Sequence, residues 1–136
     1  MTLELHATAE EVMRAVETLQ AMGEERGLPV KTLFGLTLAL EECASNIVNH
    51  ALDRDASRTF SVHLDLSESQ ASIELRDSGL EYDPTQAPNR EPSPDDAEEP
   101  PGGWGIHLIR RYTDEMHYTR TAGENILRLT KRLIPA

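Results

Sequence analysis

Three short stretches of the sequence combine residue types that can do chemistry. Glu42, Asn46 and His50 follow one another at intervals of four, which on a helix sets them in one line along a face. A carboxylate, an amide and an imidazole can together accept a proton, offer oxygen to a cation or hydrogen-bond a ligand. Beside an apolar stripe such groups are costly unless water or a ligand satisfies them. The same spacing also fits an ordinary solvated face, and Glu41 and Asn49 show that polar residues are common nearby. The second stretch is Leu75-Arg76-Asp77-Ser78-Gly79. An aspartate before glycine at a strand end either fixes a turn or aims an acceptor into a cleft. In the latter case it takes an exocyclic amine, and Gly79 lets the backbone approach a flat ligand. The third is Gly102-Gly103-Trp104-Gly105-Ile106. Glycines ahead of a helix leave amides free for phosphate, although loops also collect glycine for simpler reasons.

The elements that must position these groups are legible from periodicity. A short strand is expected over Leu3 to His6. A helix follows from Thr8 to Arg26, with Thr8 as N-cap, Glu11 three residues on, and Val12, Ala15, Val16, Leu19 and Met22 as its apolar stripe. Gly27 closes it. Pro29 opens a second helix to about Leu52, burying Leu33, Leu36, Leu40, Ala44, Ile47, Val48 and Ala51. Two alternating strands, Phe60-Val62-Leu64-Leu66 and Ala71-Ile73-Leu75, form a hairpin across the polar turn Ser67 to Gln70. A helix over Gly105 to Arg111 and a last hairpin, Glu115 to Arg120 and Ile126 to Leu133 turning at Gly123, complete the chain. The order implies a layered α/β domain with helices on one sheet face.

Residues 81–101 stand apart. They hold six of the eight prolines and seven acids against Arg90 alone, a local charge of −6. Proline density forbids helix and ladder, so the segment reads either as a lid or as a disordered insert. The whole chain of 136 residues carries −11, which excludes a nucleic-acid reader and an anionic membrane surface as partners. Its length fits one domain, 1–136. Aromatics are 4%, so the core must be aliphatic. No apolar run is long enough to span a bilayer, the start is acidic and unlike a signal peptide, and Cys43 is the single cysteine. A cytoplasmic location is the expectation.

Taken in order, ECASN in a helix, DSG after a strand and GGWGIHLI opening a helix resemble the N box and two glycine boxes of the GHKL ATP-binding superfamily. Within it the likeness is to the anti-sigma-factor serine/threonine kinases of bacterial partner-switching systems. It rests on the E-x-x-x-N-x-x-x-H helix, the D-x-G-x-x-x-D-P run from Asp77 to Pro84 and the tail from Gly102. The resemblance implies an α/β (α+β) two-layer sandwich of Bergerat type, with a mixed, mainly antiparallel sheet and an ATP/ADP site using Mg²⁺. By that resemblance Asn46 coordinates Mg²⁺ and Glu42 is the general base. Asp77 accepts the adenine amine beside Gly79, and Gly103 and Gly105 begin the phosphate-side helix. His50 has no assigned role, and Thr130 is a candidate for the hydroxyl beneath adenine, subject to its strand's register. Segment 81–101 becomes the ATP lid. Two departures stand out: Glu81 occupies the usual position of a second glycine, and the lid is acidic.

The activity implied is a protein serine/threonine kinase that phosphorylates a STAS-type antagonist and sequesters a sigma factor or another regulatory target, with a homodimer among the family's habits. The alternative is a nucleotide-gated binding module without kinase activity. A histidine kinase would need a phosphoacceptor hairpin upstream, and a chaperone or topoisomerase would need further domains.

Overall fold

A computed structural model of the chain describes residues 1–86, 107 and 109–133. Strand β1 (Thr2–His6) leads into helix α1 (Ala9–Glu25). Thr8 Oγ1 accepts from the Glu11 amide, one of the helix's orphan donors, and Glu11 Oε1 reaches back to accept from the His6 amide. At the other end Gly27, at φ +70°, lets Leu28 donate to the Gly23 carbonyl and Gly27 to that of Glu24, which closes the helix in the expected left-handed turn. Helix α2 (Val30–Asn46) continues without a break into a π-helical turn, Ile47–Ala51. Strands β2 (Thr59–Leu66), β3 (Gln70–Asp77), β4 (Glu115–Thr121) and β5 (Glu124–Arg132) follow, and residues 109–112 are helical.

The sheet order is β1-β2-β3-β5-β4. All four described pairings are antiparallel, so the parallel component of a mixed sheet is absent among the described residues. Side chains alternate between faces along each strand. Phe60, Val62, Leu64 and Leu66 of β2 and Ala71, Ile73 and Leu75 of β3 point to the buried face, where Leu5, Leu19, Leu33, Leu36 and Leu40 join them. Every α2 residue expected in the core is buried; on α1, Val16 and Met22 are only partly so. At about 1.5–3 kcal/mol for each large aliphatic side chain buried, this layer holds the fold together.

The same alternation carries two polar residues into that face. Asp77 continues the series 71, 73, 75, and Asn125 begins the series 125, 127, 129. The register of β3 with β5 sets Asp77 directly opposite Asn125. Asp77, Asn125 and Thr37 are the buried polar side chains among the described residues. No helix there is long and apolar enough to cross a membrane.

Candidate functional site

A cavity opens where the polar end of the sheet meets the end of α2. Cys43, Asn46, Ile47 and Ala51 line one side, and Leu75, Asp77, Asn125, Leu127 and Tyr118 line the sheet side. Tyr82 and Pro84, from the segment after β3, form the third wall. Its walls are mostly apolar with a few convergent polar groups, the usual make-up of a small-molecule site.

Asp77 is 4% exposed, and a carboxylate so deep needs partners. Its Oδ1 accepts from the Gly79 amide and from Asn125 Nδ2, each at 2.9 Å. Oδ2 has no partner among the described residues. One oxygen is thus fixed by the protein, and the carboxylate lines the cavity. Asn125 holds that arrangement. Its amide donates to Asp77 and to the Leu80 carbonyl, while its Oδ1 accepts from the Tyr118 hydroxyl, from Arg120 at 3.1 Å and from the Tyr82 amide at 3.4 Å. Arg120 also donates to the Gly79 carbonyl at 2.8 Å. The strand ends and the loop 78–82 are tied at this one side chain.

Asn125 is not among the expected site residues, because the expected last strand starts at Ile126, one residue beyond it. One signal was present: a polar residue on the same alternating face as Leu127 and Leu129, just after the Gly123 turn. Thr130, the candidate hydroxyl beneath adenine, is corrected by the same register. It lies opposite Ser72, five residues along β5 from Asn125, about 17 Å away.

Gly79 is explained by packing. A Cβ there would overlap the carbonyl of Ala51, the oxygen that accepts from the Leu80 amide at 2.9 Å. The glycine was expected to let the backbone approach a ligand. The missing Cβ lets the loop after β3 seat against the end of the π turn, with Asn46 and Asp77 both lining the cavity. The π turn itself has no counterpart in the sequence reading. Its defining bond, from the Leu52 amide to the Ile47 carbonyl at 2.8 Å, spans five residues, and such turns gather at functional sites. It also disturbs the expected line of polar residues. His50 is exposed and stacks on Tyr82, with ring centroids 5.0 Å apart and planes 11° apart.

Glu42 lies one helical turn before Asn46, half-buried, beside the cavity and not among its lining residues. Burial, and then repulsion from Glu41, raises its carboxyl above the ordinary range, since both disfavour the charged form. Burial pushes the neighbouring Cys43 thiol up as well, so it stays protonated and acts as a small apolar wall. Of the remaining expected residues, Gly103 and Gly105 lie outside the described residues, as do 87–101 of the expected lid. Residues 84–86 form a single 3₁₀ turn, whose Thr85 carbonyl accepts from Arg110 at 2.8 Å.

With Tyr82 and Pro84 in place the cavity measures about 20 Å³, room for roughly one water. The Tyr82–His50 stack that holds this wall is worth about 0.5–1.5 kcal/mol.

Residues 5–131 match the family model described as a histidine kinase-like ATPase domain. The chain belongs to that family. Among its relatives, the serine/threonine-protein kinase BtrW of Bordetella bronchiseptica is 36% identical over 98% of this chain and 94% of its own length. The serine-protein kinase RsbW of Oceanobacillus iheyensis is 26% identical over 81% of this chain and 72% of its own. A similar fold occurs within a structure of the RsbU and RsbW domains of a Mycobacterium tuberculosis protein, with TM-score 0.70, 21% identity and full cover of this chain but 34% of that one. The SiaB-SiaC complex from Pseudomonas aeruginosa contains another, with TM-score 0.65 at 12% identity, covering 97% of this chain and 89% of that one. In this chain the cavity between the end of α2 and the β3–β5 pair is lined by both Asn46 and Asp77.

Proposed function

We propose that this chain is an ATP-dependent protein serine/threonine kinase and a regulatory switch that phosphorylates a STAS-domain antagonist. The observation that carries the reading is the buried Asp77 carboxylate, with one oxygen fixed by Gly79 and Asn125 and the other unpartnered beside an apolar cavity. An adenine amine donates to that oxygen, while Leu75, Leu127 and Ile47 suit the flat ring. Two relatives named as serine-directed kinases support the activity.

Mg²⁺ prefers oxygen donors and commonly takes only one or two from the protein, the rest coming from water and phosphate. The Asn46 amide oxygen at the cavity wall fits that limited demand; when bound, the ion neutralises charge on the phosphates. Glu42, one turn away, accepts the proton of the substrate hydroxyl as its oxygen bonds to the γ-phosphorus and ADP leaves. Positioning and charge neutralisation provide most of the catalysis in such transfers, and a well-placed base adds about 10²–10⁴-fold. Gly103 and Gly105 are assigned to the phosphates, the role that the resemblance of GGWGIHLI to a glycine box implies. The switch's second partner is a sigma factor or another regulator, the active unit is a homodimer, and the setting is cytoplasmic.

The test incubates the protein with γ-labelled ATP, Mg²⁺ and a STAS-domain protein. Label on a serine or threonine of that protein, lost in Glu42→Gln while nucleotide is retained, is expected. The second reading, a nucleotide-gated binding module, draws on Glu42 lying outside the cavity lining. It predicts nucleotide retention by both forms with no label transferred.

A further inference from the structure

On a chain of net charge −11, one surface is cationic. Lys31 and Thr32 of α2, Arg111 and Tyr112 of the helical segment, and Lys131 of β5 line a shallow groove of about 280 Å³. Lys31 and Arg111 have no ion-pair partner among the described residues, and Lys131 reaches Asp114 only at 3.9 Å. The groove sits at the start of α2, where the first turn contains no acid and Pro29 provides no side-chain cap. The positive end of the helix therefore adds to the three side chains.

Apolar surface adjoins the charge. Val30 is 86% exposed and Phe34 57%, both unusual for residues of their size. Phe34 is held edge-on against Tyr112, with centroids 6.2 Å apart, and the Arg111 guanidinium lies 6.0 Å from the same ring. The patch is built on a helical glycine. A Cβ at Gly35 would come within 2.5–3.0 Å of three side-chain atoms of Tyr112, so only glycine lets that ring lie flush on α2. Glycine inside a helix costs about 1 kcal/mol relative to alanine, a cost that here sets Tyr112, Phe34 and the cations on one surface.

We propose that this face is a docking surface for an acidic, amphipathic segment of a partner protein, whose carboxylates meet Lys31, Arg111 and Lys131 and whose apolar side chains cover Val30 and Phe34. Charge complementarity selects that occupant. The exposed Val30 and Phe34 beside those cations call for apolar side chains as well, which a nucleic acid lacks. The inference stands apart from the nucleotide reading, since the groove shares no lining residue with the cavity.

The test uses fluorescence anisotropy without nucleotide. The probe is a labelled peptide of repeating Asp-Leu-Glu units, with a Lys-Leu-Arg peptide as control. The acidic peptide is expected to bind and to weaken as salt rises, with the basic one failing. The double variant Lys31→Glu, Arg111→Glu and the single variant Phe34→Ser should each bind about tenfold more weakly or worse. All three positions are exposed, and circular dichroism checks that the variants fold. Equal binding of both peptides, or unchanged affinity in the variants, overturns the proposal. So does capture of phosphatidylserine vesicles in place of the acidic peptide. Sedimentation showing a wild-type dimer that the double variant converts to monomer would assign the face to a second copy and equally overturn it.

Discussion

One side chain of the site, Glu42, opposes the stability of the fold that carries it. Glu42 is half-buried beside Glu41, and its carboxyl is raised above the ordinary range by that burial. A raised carboxylate binds protons more readily in the folded state than in the unfolded one. Its ionisation therefore costs stability as pH rises through the folded pKa, and the cost vanishes in acid, where both states are protonated. Glu42→Gln should melt at or above the wild-type temperature at pH 7, with the difference shrinking toward pH 4 in a calorimetric series. The same variant should lose at least about 100-fold in phosphotransfer. Wild-type transfer should fall along an acid limb lying above the ordinary carboxylate range. Asn125 behaves in the opposite way. Asn125→Ala strips partners from Asp77, the Leu80 carbonyl, Tyr118 and Arg120 together. Unfolding in urea should show a loss of about 1–3 kcal/mol, accompanied by weaker nucleotide binding.

At the level of elements, the two ends that meet at Gly79 decide whether the site exists. Gly79→Ala forces the loop after β3 away from the Ala51 carbonyl. It should destabilise by about 1–3 kcal/mol, as overpacking does, and weaken nucleotide binding even though Gly79 lines no part of the cavity. His50→Ala should act the other way. Losing the stack on Tyr82 frees roughly 1 kcal/mol of resistance to opening, so nucleotide affinity measured by calorimetry should rise a few-fold. Much of this arrangement was legible in the sequence. Helix α1 announced itself by Thr8, Glu11 and Gly27, and β2 and β3 by strict alternation, because capping and pleat leave residue-level signatures. The pairing of Asp77 with Asn125 was hidden. Strands β3 and β5 are far apart in sequence, and a register shift of one residue would turn every side chain to the other face. The π turn was hidden too, since one residue more per turn alters no residue type. Asn46 and Asp77 were found by pattern; the reason they face each other lies in Ala51, Gly79 and Asn125.

The whole molecule is an acidic protein that binds an acidic ligand. Its charge of −11 repels a triphosphate, and salt screens that repulsion over about 10 Å at 0.1 M. With a chelator present, ATP affinity should rise with ionic strength; with Mg²⁺ present the slope should flatten, because the ion carries the compensating charge to the site. The nucleotide reading depends on adenine donating to Asp77. The direct measurement is titration calorimetry of ATP and of GTP, each with Mg²⁺, into wild type and Asp77→Asn. An asparagine can keep the bonds from Gly79 and Asn125 with its oxygen, but its amide then faces an amine it cannot accept from. The account predicts at least about tenfold weaker ATP binding and a smaller loss for GTP, whose base bears a carbonyl in place of that amine. An unchanged ATP affinity in the folded variant would contradict it.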